Sequence, residues 1–275
     1  MKRALTITSI VLGIFAVLLL ACILYYWSVT AGVRLDKDKL TLENAFLTLY
    51  DGSGQEIEAN AIHASATFSE IPEHVKNAFV AVEDKRFYQH KGVDVRRMAA
   101  ACWKNLTSFS FREGASTITQ QLIKNTHLTS EKTINRKLKE IHLARLLEKK
   151  YTKDEILTLY LNSIYFGHSA FGIESAAHFY FGKSASELLP AEGATLAALI
   201  KSPNRYSPFR DAENCKARRD LVLGLMREQN YLDETTYMNA LAAPLPTQPA
   251  ESVEQNAYLA RVYDELTELF PDAKS

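Results

Sequence analysis

Val82-Glu83-Asp84-Lys85-Arg86-Phe87-Tyr88-Gln89-His90-Lys91-Gly92 sets two carboxylates side by side where a helix is expected to end. Upstream, Val75, Phe79 and Val82 recur at helical spacing behind Pro72 and Glu73, which predicts a helix over 72–86 with both acids near its C-terminal end. Acids there oppose the helix dipole. Glu83 also borders the apolar stripe, and a carboxylate that has lost part of its water accepts a proton more readily. A local rule broken without structural gain points to a working site. The plainer alternative is a frayed helix end whose acids are neutralised by Lys85 and Arg86.

Outward from this stretch the pattern is helical. Further helices are predicted over 94–106, 117–125, 131–150, 153–162, 172–180, 185–189, 191–201 and 215–229, punctuated by Pro203, Pro208 and Gly-containing loops. The fold class is therefore mainly α. Residues 46–57, with Asp51-Gly52-Ser53-Gly54 at the centre, predict a small β-hairpin. Residues 243–250 are Pro-rich and read as a linker, followed by an amphipathic helix carrying Val253, Ala257, Tyr258, Val262, Leu266 and Leu269.

At 275 residues, with 47% hydrophobic and 23% charged content, the chain is globular, and its 32 basic residues against 32 acidic leave no nucleic-acid footprint. The asymmetric part is the beginning. No side chain from Ala4 to Val33 is charged, and residues 7–27 are apolar enough to cross a bilayer as a helix. Lys2 and Arg3 are expected to hold residues 1–6 in the cytoplasm, with Tyr25, Tyr26 and Trp27 as an aromatic anchor at the far interface. The rest is then extracytoplasmic. Leu19-Leu20-Ala21-Cys22 loosely resembles a lipoprotein cleavage box, but the apolar run continues past Cys22. A Cys102–Cys215 disulfide stays open, since a domain of this size needs no staple, and no cysteine and histidine spacing suggests zinc.

Two more stretches carry chemistry. Gly114-Ala115-Ser116-Thr117-Ile118-Thr119-Gln120-Gln121 contains the capping-box pattern from Thr117 to Gln120, so a helix is expected to begin behind a Gly114 hinge and to offer free N–H groups to an anion. Thr117, Gln121 and Lys124 fall on one polar stripe, which reads either as a solvated face or as a surface for phosphate and sugar. In Arg136-Lys137-Leu138-Lys139-Glu140, the Lys137–Glu140 pair alone is an ordinary surface ion pair worth about 0.3 kcal/mol. A lone carboxylate among several cations also suits a metal or a phosphate-bearing leaving group.

Together these stretches resemble the peptidoglycan glycosyltransferase (transglycosylase) domain of class A penicillin-binding proteins and monofunctional transglycosylases. The family pattern E-D-x-x-F-x-x-H-x-G is met by Glu83, Asp84, Phe87, His90 and Gly92, and G-[GA]-S-T-I-T-Q-Q by Gly114 to Gln121. R-K-x-x-E is met by Arg136, Lys137 and Glu140, and K-x-x-I-L-x-x-Y-L-N by Lys153, Ile156, Leu157, Tyr160, Leu161 and Asn162. The fourth reads as structural, because Thr152 and Glu155 form a capping box ahead of core residues.

The resemblance implies a lysozyme-like, two-lobed domain over residues 66–242, joined to a 7–27 anchor by a juxtamembrane segment 28–65 and followed by 243–275. It implies polymerisation of lipid II into β-1,4-linked glycan strands at the bacterial cytoplasmic membrane, with release of undecaprenyl pyrophosphate. Glu83 would be the general base and Glu140 would position a divalent cation, Mg or Mn, or organise the cations. The substrate-binding set carried over is Asp84, Phe87, His90, Ser116, Thr117, Gln121, Lys124, Asn125, Lys132, Arg136 and Lys137. Expected partners are lipid II, the growing strand, the membrane and other cell-wall synthesis proteins. The alternatives are a lysozyme-like glycan-cleaving enzyme and a catalytically silent scaffold. Ala115 stands where many members have glycine, which matters if that position needs positive φ. Lys132 stands where arginine is frequent, giving up bidentate phosphate geometry. No S-x-x-K or K-T-G occurs in these residues, so no penicillin-binding transpeptidase segment is read in them. A single-domain relative and the front part of a longer gene product both stay open.

Overall fold

The computed structural model describes residues 2–40, 65–108, 115–129, 131–168 and 170–250, with side chains omitted at 2–6, 102 and 105–108. These residues form α1 Lys2–Thr30, α2 Glu73–Glu83, α3 Val95–Ser108, α4 Ile118–His127, α5 Ile134–Leu147, α6 Lys153–Ser163, α7 Ile173–Phe181, α8 Pro190–Leu199, α9 Ala212–Glu228 and α10 Glu234–Ala242, with short 3-10 turns at Phe87–Gln89 and Ala185–Glu187. The fold is mainly helical, as the sequence predicts. Among the described residues the β content is a single antiparallel bridge between Tyr165 and Phe171. The predicted hairpin, the Gly114 hinge and the amphipathic segment after 250 lie outside the described residues.

α8 is the centre of the domain. It starts with Pro190, whose missing N–H costs nothing at that position, and Ala191 and Gly193 to Leu199 are all buried. A helix apolar on every side belongs inside. α2 lies against it, and a Cβ on Gly193 would come within 3.0 Å of Val75 Cγ2 and 3.2 Å of its Cα, so glycine sets how closely the two helices approach. Phe79 on α2 is fully buried and meets the Phe166 ring edge-on, with centroids 6.0 Å apart. Burial of each such side chain contributes about 1.5–3 kcal/mol.

The helix starts follow local chemistry. Thr117 and Thr152 form the two expected capping boxes, and Thr133, Asp211 and Asp233 cap α5, α9 and α10 through side-chain oxygens. α10 is not anticipated by the sequence pattern. Its last carbonyls are closed by Arg219, a fully buried side chain that donates to Leu241 O at 3.1 Å and Ala243 O at 2.7 Å. The segment read as a linker is then fastened to α7, since the Ala250 N–H donates to Phe179 O at 3.0 Å. Cys215 is a buried free thiol, and burial pushes its pKa up to about 11. Its suggested partner Cys102 has no described side chain.

α1 is long and apolar enough over Ile7–Thr30 to cross a membrane, and none of its most apolar window is buried in the protein. Its far end rests on α5, where the Tyr25 hydroxyl donates to Asn135 Oδ1 at 2.5 Å and Tyr26 Oη lies 2.9 Å from His142 Nδ1.

Candidate active site

α2 stops at Glu83, three residues earlier than predicted. The Asp84 N–H still bonds Val80 O at 3.0 Å, but its backbone turns to φ −153°, ψ 71°. The physical reason lies at the start of α4. Asp84 is fully buried, and its Oδ2 accepts the N–H of Ile118, the first residue of α4, at 3.0 Å. An acid that opposes the dipole of its own helix thus sits on the positive end of another. His90 Nε2 completes the contact, 2.9 Å from Oδ2 and 3.1 Å from Oδ1. Arg86 does not neutralise this pair, as the plainer alternative has it. It makes a bidentate contact with Asp94 at 2.6 and 2.9 Å.

Glu83 is held differently. It is partly exposed, and its Oε2 accepts the Gln121 amide N–H at 2.7 Å. The same amide group accepts from the Tyr160 hydroxyl through Oε1 at 3.3 Å. Burial, reinforced by the charges of Glu83 and Asp84, drives the Tyr160 pKa well above the ordinary phenol range, so it stays a donor. The Glu83 main-chain carbonyl accepts a hydrogen bond from Arg97. The carboxylate is therefore aimed from one side and open to the other.

The loop from Asp84 to Gly92 is bolted to three helices. The Thr117 hydroxyl donates to Gly92 O at 2.7 Å, and Gly92 has φ +82° with a hypothetical Cβ only 2.8 Å from Ala144 O. Glycine is required there. Phe87 is fully buried, with the Lys153 ammonium 4.3 Å from its ring centroid. Lys153 also reaches Glu148 Oε1 at 2.6 Å, which accepts the Thr119 hydroxyl at 2.7 Å. Burial lowers the Lys153 pKa and the Glu148 partner opposes that shift.

The second carboxylate centre is Glu140 on α5, which is 1% exposed. Its Oε1 accepts from Lys137 and from Gln120 Nε2 at 3.2 Å, and its Oε2 accepts from Arg136 at 2.8 Å. Lys137 also donates to Ser116 Oγ at 2.9 Å, which ties the cations to the segment leading into α4. Both oxygens are engaged by donors, two of them cationic, and no group of three or more His, Cys, Asp or Glu that would hold a metal occurs among the described residues. This donor set does not fit Mg or Mn ligated by Glu140. It fits a carboxylate that holds two cations in register.

Of the residues expected from sequence, the structure brings Glu83, Asp84, His90 and Gln121 into one cluster, and Ser116, Arg136, Lys137 and Glu140 into another. α4 connects the two: Gln120 faces Glu140 and Gln121 faces Glu83. Thr117 is fully buried and is a cap and loop tether, with its hydroxyl turned to Gly92 and accepting the Gln120 N–H at 3.1 Å. Phe87 is a buried anchor. Lys124, Asn125 and Lys132 are exposed, as a solvated face or an open ligand surface requires. Sequence reasoning missed Gln120, Arg97 and the Thr119–Glu148–Lys153 chain. Gln120 was visible as half of a capping box, but its second bond to Glu140 depends on a helix 20 residues away.

The transglycosylase family model matches residues 53–227, which contain every residue of both clusters. The chain is 41% identical over 233 residues to penicillin-binding protein 1F of Bacillus subtilis (strain 168), covering 84% of this chain and 32% of that protein. It is 39% identical over 256 residues to penicillin-binding protein 1A/1B of the same organism, covering 90% and 28%. With penicillin-binding protein 1A of Aquifex aeolicus (strain VF5) the identity is 46% over 179 residues, covering 65% and 25%. The chain spans about a third or less of the length of these relatives. A family match over most of the chain, enclosing an aimed carboxylate and a paired set of cations, places it: the chain belongs to the transglycosylase family.

Proposed function

We propose that this protein is a peptidoglycan glycosyltransferase that polymerises lipid II into β-1,4-linked glycan strands and releases undecaprenyl pyrophosphate. The observation that carries the reading is the division of labour between Glu83 and Glu140. Glu83 is aimed by Gln121 and partly open, which suits a general base. Glu140 is closed by Arg136, Lys137 and Gln120, which suits a cation holder beside a departing anion.

In this reading Glu83 takes the proton of the acceptor 4-hydroxyl as that oxygen attacks the donor anomeric carbon, with inversion. The bond from that carbon to the pyrophosphate oxygen breaks, and the leaving group carries its electron pair away as lipid pyrophosphate. Lys137 and Arg136 face the developing charge, with exposed Lys124 and Lys132 as further cations on the way in. Ser116 and Gln121 supply neutral hydrogen bonds to sugar or phosphate. Asp84, Phe87, His90 and Thr117 act by holding the loop and helix start that position Glu83. α1 would anchor the domain in the cytoplasmic membrane with its catalytic side outside, next to a substrate that is itself a lipid.

The test is lipid II polymerisation by the full chain beside Glu83→Gln. A loss of about 10²–10⁴-fold in turnover, with an unchanged melting temperature, is expected for removal of a general base. Near-full activity in the variant would remove Glu83 from the role. Cleavage of preformed glycan in place of polymerisation would put a lytic enzyme in its place, and no reaction in either direction a scaffold.

A further inference from the structure

α1 does more than end near α5, because two adjacent residues at its end contact α5 at points seven residues apart. Tyr25 and Tyr26 are neighbours, separated by about 1.5 Å along α1, whereas their partners Asn135 and His142 are about 10 Å apart along α5. Neighbouring side chains project in different directions around a helix, so the two tyrosines grip α5 at two places and seat it against the end of α1. The Tyr26 and His142 rings meet edge-on, with centroids 5.9 Å apart, so the contact is packed as well as hydrogen-bonded. With α1 as the membrane span, its aromatic end sits at the interface, and α5, packed against that end, is brought to headgroup depth.

α5 is also unevenly charged. Lys139, His142, Arg145 and Lys149 follow one another at helical spacing or just beyond its end. Arg145 and Lys149 are exposed, and no carboxylate pairs with Lys139, Arg145 or Lys149 among the described residues. The neighbouring acid, Glu148, is turned inward to Thr119 and Lys153. Burial first, then the charges of Lys149 and Arg145, hold the His142 pKa below its ordinary value, so the three groups share one field. The catalytic-side cations Arg136 and Lys137 are instead committed to Glu140.

We propose that Lys139, Arg145 and Lys149, beside His142, form a binding site on α5 for the phosphate headgroup of a bulk anionic phospholipid. The occupant follows from position and charge: an unpaired basic row at headgroup depth meets lipid phosphate before any soluble anion. Its effect is to hold the helix carrying Arg136, Lys137 and Glu140 at a constant height above the bilayer. The inference rests on α1 as the span and is separate from the base assignment.

The experiment uses the full chain in nanodiscs of mixed phosphatidylglycerol and phosphatidylcholine, with lipids retained on release counted by native mass spectrometry. Wild type should retain phosphatidylglycerol over phosphatidylcholine. A Lys139→Gln/Arg145→Gln/Lys149→Gln variant should lose that preference by about tenfold or more, with unchanged melting temperature and unchanged polymerisation in detergent micelles. Added inorganic pyrophosphate should leave wild-type retention intact. Equal retention by the variant overturns the site, and displacement by pyrophosphate overturns it by assigning the lipid to the reaction's own cations. Failure to enter nanodiscs overturns the membrane reading of α1 along with it.

Discussion

The two carboxylate centres of this protein meet the same first turn of α4, through Gln120 and Gln121, and are built to opposite specifications. At the end of α2, adjacent acids are treated unequally: Asp84 is sealed by the Ile118 N–H and His90, and Glu83 is left with an amide contact from Gln121 and access to solvent. On α5, Glu140 is sealed as completely as Asp84, but by cations. Burial therefore does not mark the acid proposed as the base. The acid suited to proton transfer is the one that its surroundings leave incompletely satisfied, and the buried ones arrange what stands around it.

This contrast can be broken from either side. The largest effect is expected for Glu140→Gln, which turns a shared acceptor into a group that faces Arg136 and Lys137 with half its hydrogen-bonding reversed. Removing one member of a buried ionic cluster costs about 3–5 kcal/mol, and partial exposure of Lys137 places this case at the lower end. Urea unfolding should show the loss together with weakened polymerisation; wild-type stability would mean that Glu140 holds nothing. Gly92→Ala comes next, at about 1–3 kcal/mol, since it combines a positive φ with a contact against Ala144 O. A melting temperature equal to wild type would show that the loop is not bolted to α5.

Asp84→Asn should cost about 1–2 kcal/mol, because an amide oxygen still accepts the Ile118 N–H but without the charge that complements α4. Its turnover should fall while KM changes little, and unaltered turnover would separate the Glu83 geometry from the start of α4. The smallest effect is the pH dependence of Asp94, which caps α3 through the Arg97 N–H at 2.9 Å and pairs with Arg86. Burial alone would raise its pKa, but those hydrogen bonds and the Arg86 charge hold it below the ordinary value. A depressed carboxylate stabilises the fold above its unfolded pKa of about 3.9, and that contribution is lost as pH falls through the folded value. The stability gap between wild type and Asp94→Asn, about 1 kcal/mol or less near neutrality, should close below pH about 4. A gap independent of pH would assign the effect to shape.

Much of this was readable in the sequence because it is local. Thr117 and Gln120, or Thr152 and Glu155, need only four residues to declare a helix start, and the Val75, Phe79 spacing declares α2's buried face. α10 escaped because Glu234 to Ala242 buries little, with Ala240 its one fully covered residue, so apolar periodicity had nothing to report. The Asp233 cap was its available signal. The early end of α2 was illegible for another reason: the partner that ends it is Ile118, 34 residues on. The roles within the polar stripe of α4 diverge likewise, since Thr117 is consumed by Gly92 and Gln121 by Glu83, choices made by tertiary neighbours.

The Asp84–Ile118 contact has a mechanical meaning as well. It joins the carbonyl end of α2 to the amide end of α4 through one carboxylate, so the two helix dipoles are coupled beside Glu83. Separating α2 from α4 requires breaking this buried contact, so the acid proposed as the base keeps its distance from the start of α4 for as long as the contact holds.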